Sequence, residues 1–111
     1  MATATTTQSG HVVEITYDAS GDDWDYTDAS GFDVGLRTRA IIWVSSAADD
    51  QLIINEGGND GPSIVDWTSG GVSDTKQIAF GSRGVALKPY IEFGDQNYTT
   101  TGNAKVIFIL A

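Results

Sequence analysis

The chain contains no cysteine, two prolines, one histidine and only six basic residues in 111. Without thiols there are no disulfides, no thiolate metal sites and no cysteine nucleophile. Cohesion must then come from one hydrophobic core, and a chain of this length buries roughly two thirds of its unfolded surface, enough for a single domain. The lone histidine, His11, has no nucleophile motif around it, so a Ser-His-Asp arrangement has nothing specific behind it. Fifteen acidic residues make carboxylate pairs inevitable by chance, and the expectation is a protein that is not an enzyme. Gly81-Ser82-Arg83-Gly84 and the other glycine clusters lack the Gly-Lys-Ser/Thr order of a phosphate loop and read as turns. No apolar run approaches the roughly 20 residues of a membrane helix. A formal charge of −9 repels nucleic acid and anionic membranes, which bind by releasing counterions to Lys and Arg. The opening MATATTTQSG has neither the basic start nor the apolar run of a signal peptide, so synthesis without export is expected.

What the chain does contain is alternation. From His11 to Asp18, Val13, Ile15 and Tyr17 share one face and Val12, Glu14 and Thr16 the other, the period-two mark of a half-buried strand. Leu36 to Val44 places Arg37, Arg39, Ile41 and Trp43 on one face and Leu36, Thr38, Ala40, Ile42 and Val44 on the other. Gln51 to Glu56 has an apolar middle, and GGNDGP after it is dense in turn formers. Ser63–Trp67 and Lys76–Phe80 follow as short strands. Val85 to Phe93 alternates, but Pro89 falls on its apolar face and cannot donate a ladder bond, which predicts an edge strand or a bulge. Ala104 to Leu110 is apolar on both faces after Lys105, so it must lie centrally or contribute to a subunit contact.

Seven or eight short strands at roughly 8–12-residue spacing, with no 3.6-residue periodicity, predict an all-β protein. The expected architecture is a single-domain β-sandwich, jelly-roll-like, over residues 11–111. Residues 1–10, small and polar, are expected to form a flexible arm or a first edge segment.

Residues 18–33, DASGDDWDYTDASGFD, read as a long acidic loop anchored by Trp24, Tyr26 and Phe32. Loops of this length usually bind something or pack on a neighbour. Asp22, Asp23, Asp25 and Asp28 offer oxygen ligands of the kind Ca²⁺ takes, though their spacing is not that of an EF-hand, and a solvated acidic turn is the competing reading. Trp43 and Trp67 sit in apolar alternation and are expected in the core. Trp24, in polar surroundings, is the candidate for an exposed partner contact or for closing a small satellite core. Arg37 and Arg39 put two cations on one face of an anionic chain, to pair with loop aspartates or across a subunit boundary. Asn97-Tyr98-Thr99 matches a glycosylation acceptor, idle without export.

The order of four segments, Asp50–Gly57, Gly61–Val65, Leu87–Ile91 and Gly102–Phe108, resembles the layout of small all-β virion proteins of tailed bacteriophages, of the capsid decoration or cement class. The similarity covers roughly residues 36–111 and leaves the acidic loop outside. It implies a protein made in the host cytoplasm that binds the major capsid protein on the outer capsid surface of the virion. The resemblance also implies self-association, as a homotrimer at symmetry axes, with stabilisation by added buried contact. The other reading the composition leaves open is a carbohydrate-binding module or lectin, assisted by calcium at the aspartate loop.

Overall fold

The computed structural model describes residues 5–16, 23–28, 35–45, 50–71, 74–92 and 105–111. Among these residues the chain is all-β, with two antiparallel sheets facing one another and a single 3-10 turn at Tyr26–Asp28. The strands are β1 (Thr5–Ser9), β2 (Val12–Thr16), β3 (Asp23–Asp25), β4 (Leu36–Val44), β5 (Gln51–Glu56), β6 (Ser63–Thr68), β7 (Thr75–Ala79), β8 (Val85–Leu87), β9 (Pro89–Glu92) and β10 (Lys105–Leu110). One sheet runs β1-β2-β10-β4-β7, with β8 alongside β7 on the same side of β4; the other runs β3-β9-β5-β6.

Alternation decides which side chains meet between the sheets. Val13, Ile15, Val106, Phe108 and Leu110 point inward from β2 and β10, opposed by Leu52, Ile54, Val65 and Ile91 from the smaller sheet. Two aromatic pairs span the gap. Trp43 of β4 stacks on Trp67 of β6 at 6.4 Å, and Trp24 of β3 stacks on Phe108 of β10 at 5.7 Å. Each such pair contributes about 0.5–1.5 kcal/mol beyond its buried area. β10 takes the central place its composition demanded, between β2 and β4.

The strands among the described residues number ten because long-range pairing divides the chain where local pattern does not. The segment expected as a flexible arm or edge supplies β1, joined to β2 by a tight turn at Gly10-His11, where Gly10 has φ +56°. The acidic stretch at 18–33 is not loop throughout, because Asp23–Asp25 pairs with β9. In β4 the simple two-face reading is overturned. Leu36 and Thr38 are buried, but so are Ile41 and Trp43. The register shifts where Ile109 opposes Ala40 and Leu110 opposes Thr38, leaving Arg39 as the extra residue of a β-bulge. That one insertion moves the inward set from even to odd positions.

The run Val85–Phe93 is also not one strand. The chain leaves the larger sheet after Leu87 and joins the smaller at Pro89, turning at Lys88. There Glu56 Oε1 accepts the Lys88 N–H at 2.7 Å, and Lys88 O accepts the Gly57 N–H at 2.8 Å. β9 is interior, between β3 and β5, so the edge expected from Pro89 is corrected. Proline is tolerated because it is the first residue of its strand.

Candidate functional site

The larger sheet has one face in the core and the other uncovered by any element among the described residues. Register assigns the outward rows. One row reads Thr7, Glu14, Ile107, Ile42, Gln77; the next reads Ser9, Val12, Ile109, Ala40, Ala79. Val44 and Lys105 lie opposite one another in a third. The centre of this face is therefore aliphatic: Val12, Ile42, Val44, Ile107 and Ile109. All are half-buried. A monomer seldom leaves such a patch on a sheet face without use.

At one end of the face the β4 bulge and the 81–84 turn frame a shallow depression of about 370 Å³. It is lined by Arg39, Ala40, Ala79, Gly81, Ser82 and Ile109. Phe80 N–H bonds Arg39 O at 2.7 Å and so fixes the bulge. The Arg39 side chain is exposed and makes no ion pair among the described residues. Arg37 is committed differently: its Nη1 donates to Arg83 O and Gly84 O, both at 3.3 Å, clasping the neighbouring turn. The two arginines thus have different settings, and neither makes an ion pair with an aspartate among the described residues.

The smaller sheet is ordered by its own register. Register on the smaller sheet sets Asp23 opposite Glu92, Glu92 opposite Ile53, and Ile53 opposite Asp66. One broad face is thus aliphatic with a cation at its margin, and on the other Asp66 is exposed and accepts from Gln51 Nε2 at 2.9 Å.

The remaining candidates come out as follows. Trp24 is 1% exposed, so the exposed contact expected there is corrected. Its indole fills the core above Phe108, and its Nε1 donates to Thr6 Oγ1 at 2.9 Å. That leaves the satellite-core reading of Trp24, merged into the main core. Trp43 is fully buried and Trp67 half-buried against it. Of the proposed calcium ligands, Asp22 and the side chains of Asp23 and Asp28 lie outside the described residues. Asp25 Oδ1 accepts from the Thr27 backbone N–H at 2.7 Å and from its hydroxyl at 2.8 Å, an Asx-type turn. Among the described residues no cluster of three acidic or histidine side chains is arranged to hold a metal. His11 is exposed in the β1–β2 turn, where its carbonyl accepts from Leu110 N–H.

One polar cluster was not anticipated. Ser45 at the end of β4 and Ser69 after β6 are buried, with hydroxyl oxygens 2.7 Å apart and both within reach of Gly71 O. Asp50, also buried, accepts the Ser69 N–H through its carbonyl. Nearby, Asp74 accepts from Gly70 N–H at 2.8 Å and lies 3.7 Å from Lys76 Nζ. The Gly70 bond first, and Lys76 second to it among the favourable contacts, hold the Asp74 carboxyl below its ordinary range. The cluster is built as a clasp between the sheets. No family model, curated protein or solved structure matches the chain, so the geometry stands by itself.

Proposed function

We propose that this is a non-catalytic docking protein of the capsid-decoration kind its sequence layout resembles. It adheres to a repeating protein surface through the outer face of the larger sheet and strengthens that surface by adding buried contact. The observation that carries the reading is the aliphatic row Val12–Ile109–Ala40–Ala79, with its neighbour Ile107–Ile42, ending at Arg39, which makes no ion pair among the described residues. Arginine beside apolar surface is the composition enriched at protein interfaces. The formal charge of −9 suits a position on the solvent side, since it keeps decorated particles apart by repulsion. The lectin reading gains no exposed indole from Trp24, which is buried.

The test has two arms. Particles purified from the source are analysed by mass spectrometry, and the chain is expected at a fixed ratio to the shell protein. Recombinant chain is then added to particles stripped of it. Ile107→Lys, on the outward face, is expected to remain folded by circular dichroism yet fail to rebind. Absence of the chain from every particle fraction, or full rebinding by the Lys variant, would sink the proposal.

A further inference from the structure

Two alanines stand opposite one another where the outer face of the larger sheet meets the 81–84 turn, Ala40 of β4 and Ala79 of β7. Ile109 is the next outward residue beside Ala40, and Gly81 brings no side chain of its own. Small residues beside larger ones leave the depression of about 370 Å³, lined with aliphatic carbon from Ala40, Ala79 and Ile109. The β4 bulge turns Arg39 and Ala40 outward in succession, which sets a guanidinium at the margin. Ser82 contributes a hydroxyl to the same lining. Arg39, Ala79, Gly81 and Ser82 are each exposed, so the depression opens to solvent.

Charge sets this corner apart. Lys76 lies 3.7 Å from Asp74, Lys105 lies 3.8 Å from Glu14, and Arg37 is bonded to two turn carbonyls. Arg39 makes no ion pair among the described residues. The described outward positions of the larger sheet carry Arg37, Arg39 and Lys105 against Glu14 alone. On a chain of formal charge −9, that face is locally cationic among the described residues.

We infer that this corner is a carboxylate receptor: the protein that docks on the aliphatic face presents an aspartate or glutamate side chain to Arg39. The inference rests on the docking reading above and adds the chemistry of the partner's contact. A guanidinium holds a carboxylate through two parallel N–H donors, and the Ser82 hydroxyl is a further donor in the same depression. The methylenes of the acidic side chain lie against Ala40, Ala79 and Ile109. Aliphatic contact around the pair excludes water and strengthens it. A phosphate suits the corner less well, since one guanidinium leaves a dianion half compensated on a chain whose overall field is negative.

Rebinding to stripped particles reads the contact. Arg39→Gln is expected to weaken rebinding at least about tenfold, the scale of a truncated charge pair. Arg39→Lys keeps the charge, loses the fork and should fall between. The Arg39 carbonyl, not its side chain, accepts the Phe80 N–H, so the bulge survives both changes. Lys88→Gln, on the turn between β8 and β9, alters net charge equally and should rebind as the parent chain does. Stripped particles are also treated with a carbodiimide and ethanolamine, which turn exposed carboxylates into neutral amides. That treatment should weaken the parent chain by a similar factor and leave Arg39→Gln no weaker than before. Full rebinding by Arg39→Gln while Ile107→Lys fails overturns the carboxylate receptor and keeps the docking reading. Equal losses from Lys88→Gln and Arg39→Gln overturn it too, as does an equal further loss for both chains on treated particles. A chain that binds no particle fraction removes the docking reading, and this inference with it.

Discussion

Ser45 Oγ and Ser69 Oγ are 2.7 Å apart in a buried setting, and the bond between them joins the two sheets at one end of the sandwich. Ser45 extends β4 of the larger sheet, while Ser69 extends β6 of the smaller. Two hydroxyl protons serve three short contacts, since Gly71 O is 2.9 Å from one serine and 2.7 Å from the other. Removing either hydroxyl takes a bond out of a buried network whose other serine stays bonded to Gly71 O, at a cost of about 0.5–1.5 kcal/mol. Ser45→Ala and Ser69→Ala should each lower the urea midpoint by a corresponding amount. The double variant should lose less than the two losses added, because they share one network. Strict additivity would mean the serines act separately.

Asp74 sits at the same end, on the loop that carries the chain from one sheet to the other. Its carboxyl is held below the ordinary value of 3.8, chiefly by the Gly70 N–H. A carboxylate whose folded pKa is lowered adds stability above its unfolded pKa, and that stability fades as pH falls through the folded one. The gap in thermal midpoint between the parent chain and Asp74→Asn should be constant from about pH 7 to 5 and shrink progressively below about pH 4. A gap that widens on acidification would contradict the assignment.

Where sequence pattern and structure agree, local alternation was enough. β2 and β10 bury every second residue, as β5 does up to Ile54, and for β10 the apolar character of both faces was itself the clue to a central position. That same excess, Ile107 and Ile109, marks the aliphatic outer face, so half of the candidate site was legible. Arg39 was legible only as a cation. The bulge that turns it outward beside Ala40 follows from pairing with a strand nearly 70 residues away in sequence. Likewise Asp23–Asp25 has poor strand propensity and forms β3 because β9 offers a ladder and the core accepts Trp24. Lys88-Pro89 looked like an awkward strand interior because nothing local reveals a change of sheet.

The turn after β5 gives a prediction on two glycines. A side chain at Gly61 would run into the Glu56 carbonyl oxygen, which the packed turn cannot move, while Gly61 N–H is bonded to Gly58 O at 3.0 Å. Gly57 has φ +87° but open space around it. Gly57→Ala should therefore cost only the left-handed strain, about 1–2 kcal/mol. Gly61→Ala must displace backbone, and should cost about 3 kcal/mol or more in chemical denaturation. Equal losses would argue that the turn is held less tightly than its bonds imply.

Trp24 joins three parts of the molecule: it belongs to β3, stacks on Phe108 of β10 and bonds Thr6 of β1. Trp24→Phe keeps a ring over Phe108 but gives up the bond to Thr6, and should cost about 1–3 kcal/mol. Trp24→Ala loses the stacking as well and should cost about 3–5 kcal/mol. Thr6→Val keeps the size of the side chain at position 6 and leaves the indole N–H without its partner. Combined with Trp24→Phe it should show coupling of about 0.5–1.5 kcal/mol, because the second change finds the bond already gone. Acrylamide should leave Trp24 unquenched in a variant where the other two tryptophans are replaced by phenylalanine. Ready quenching would put the indole back on the surface and detach β1 from the core that steadies it.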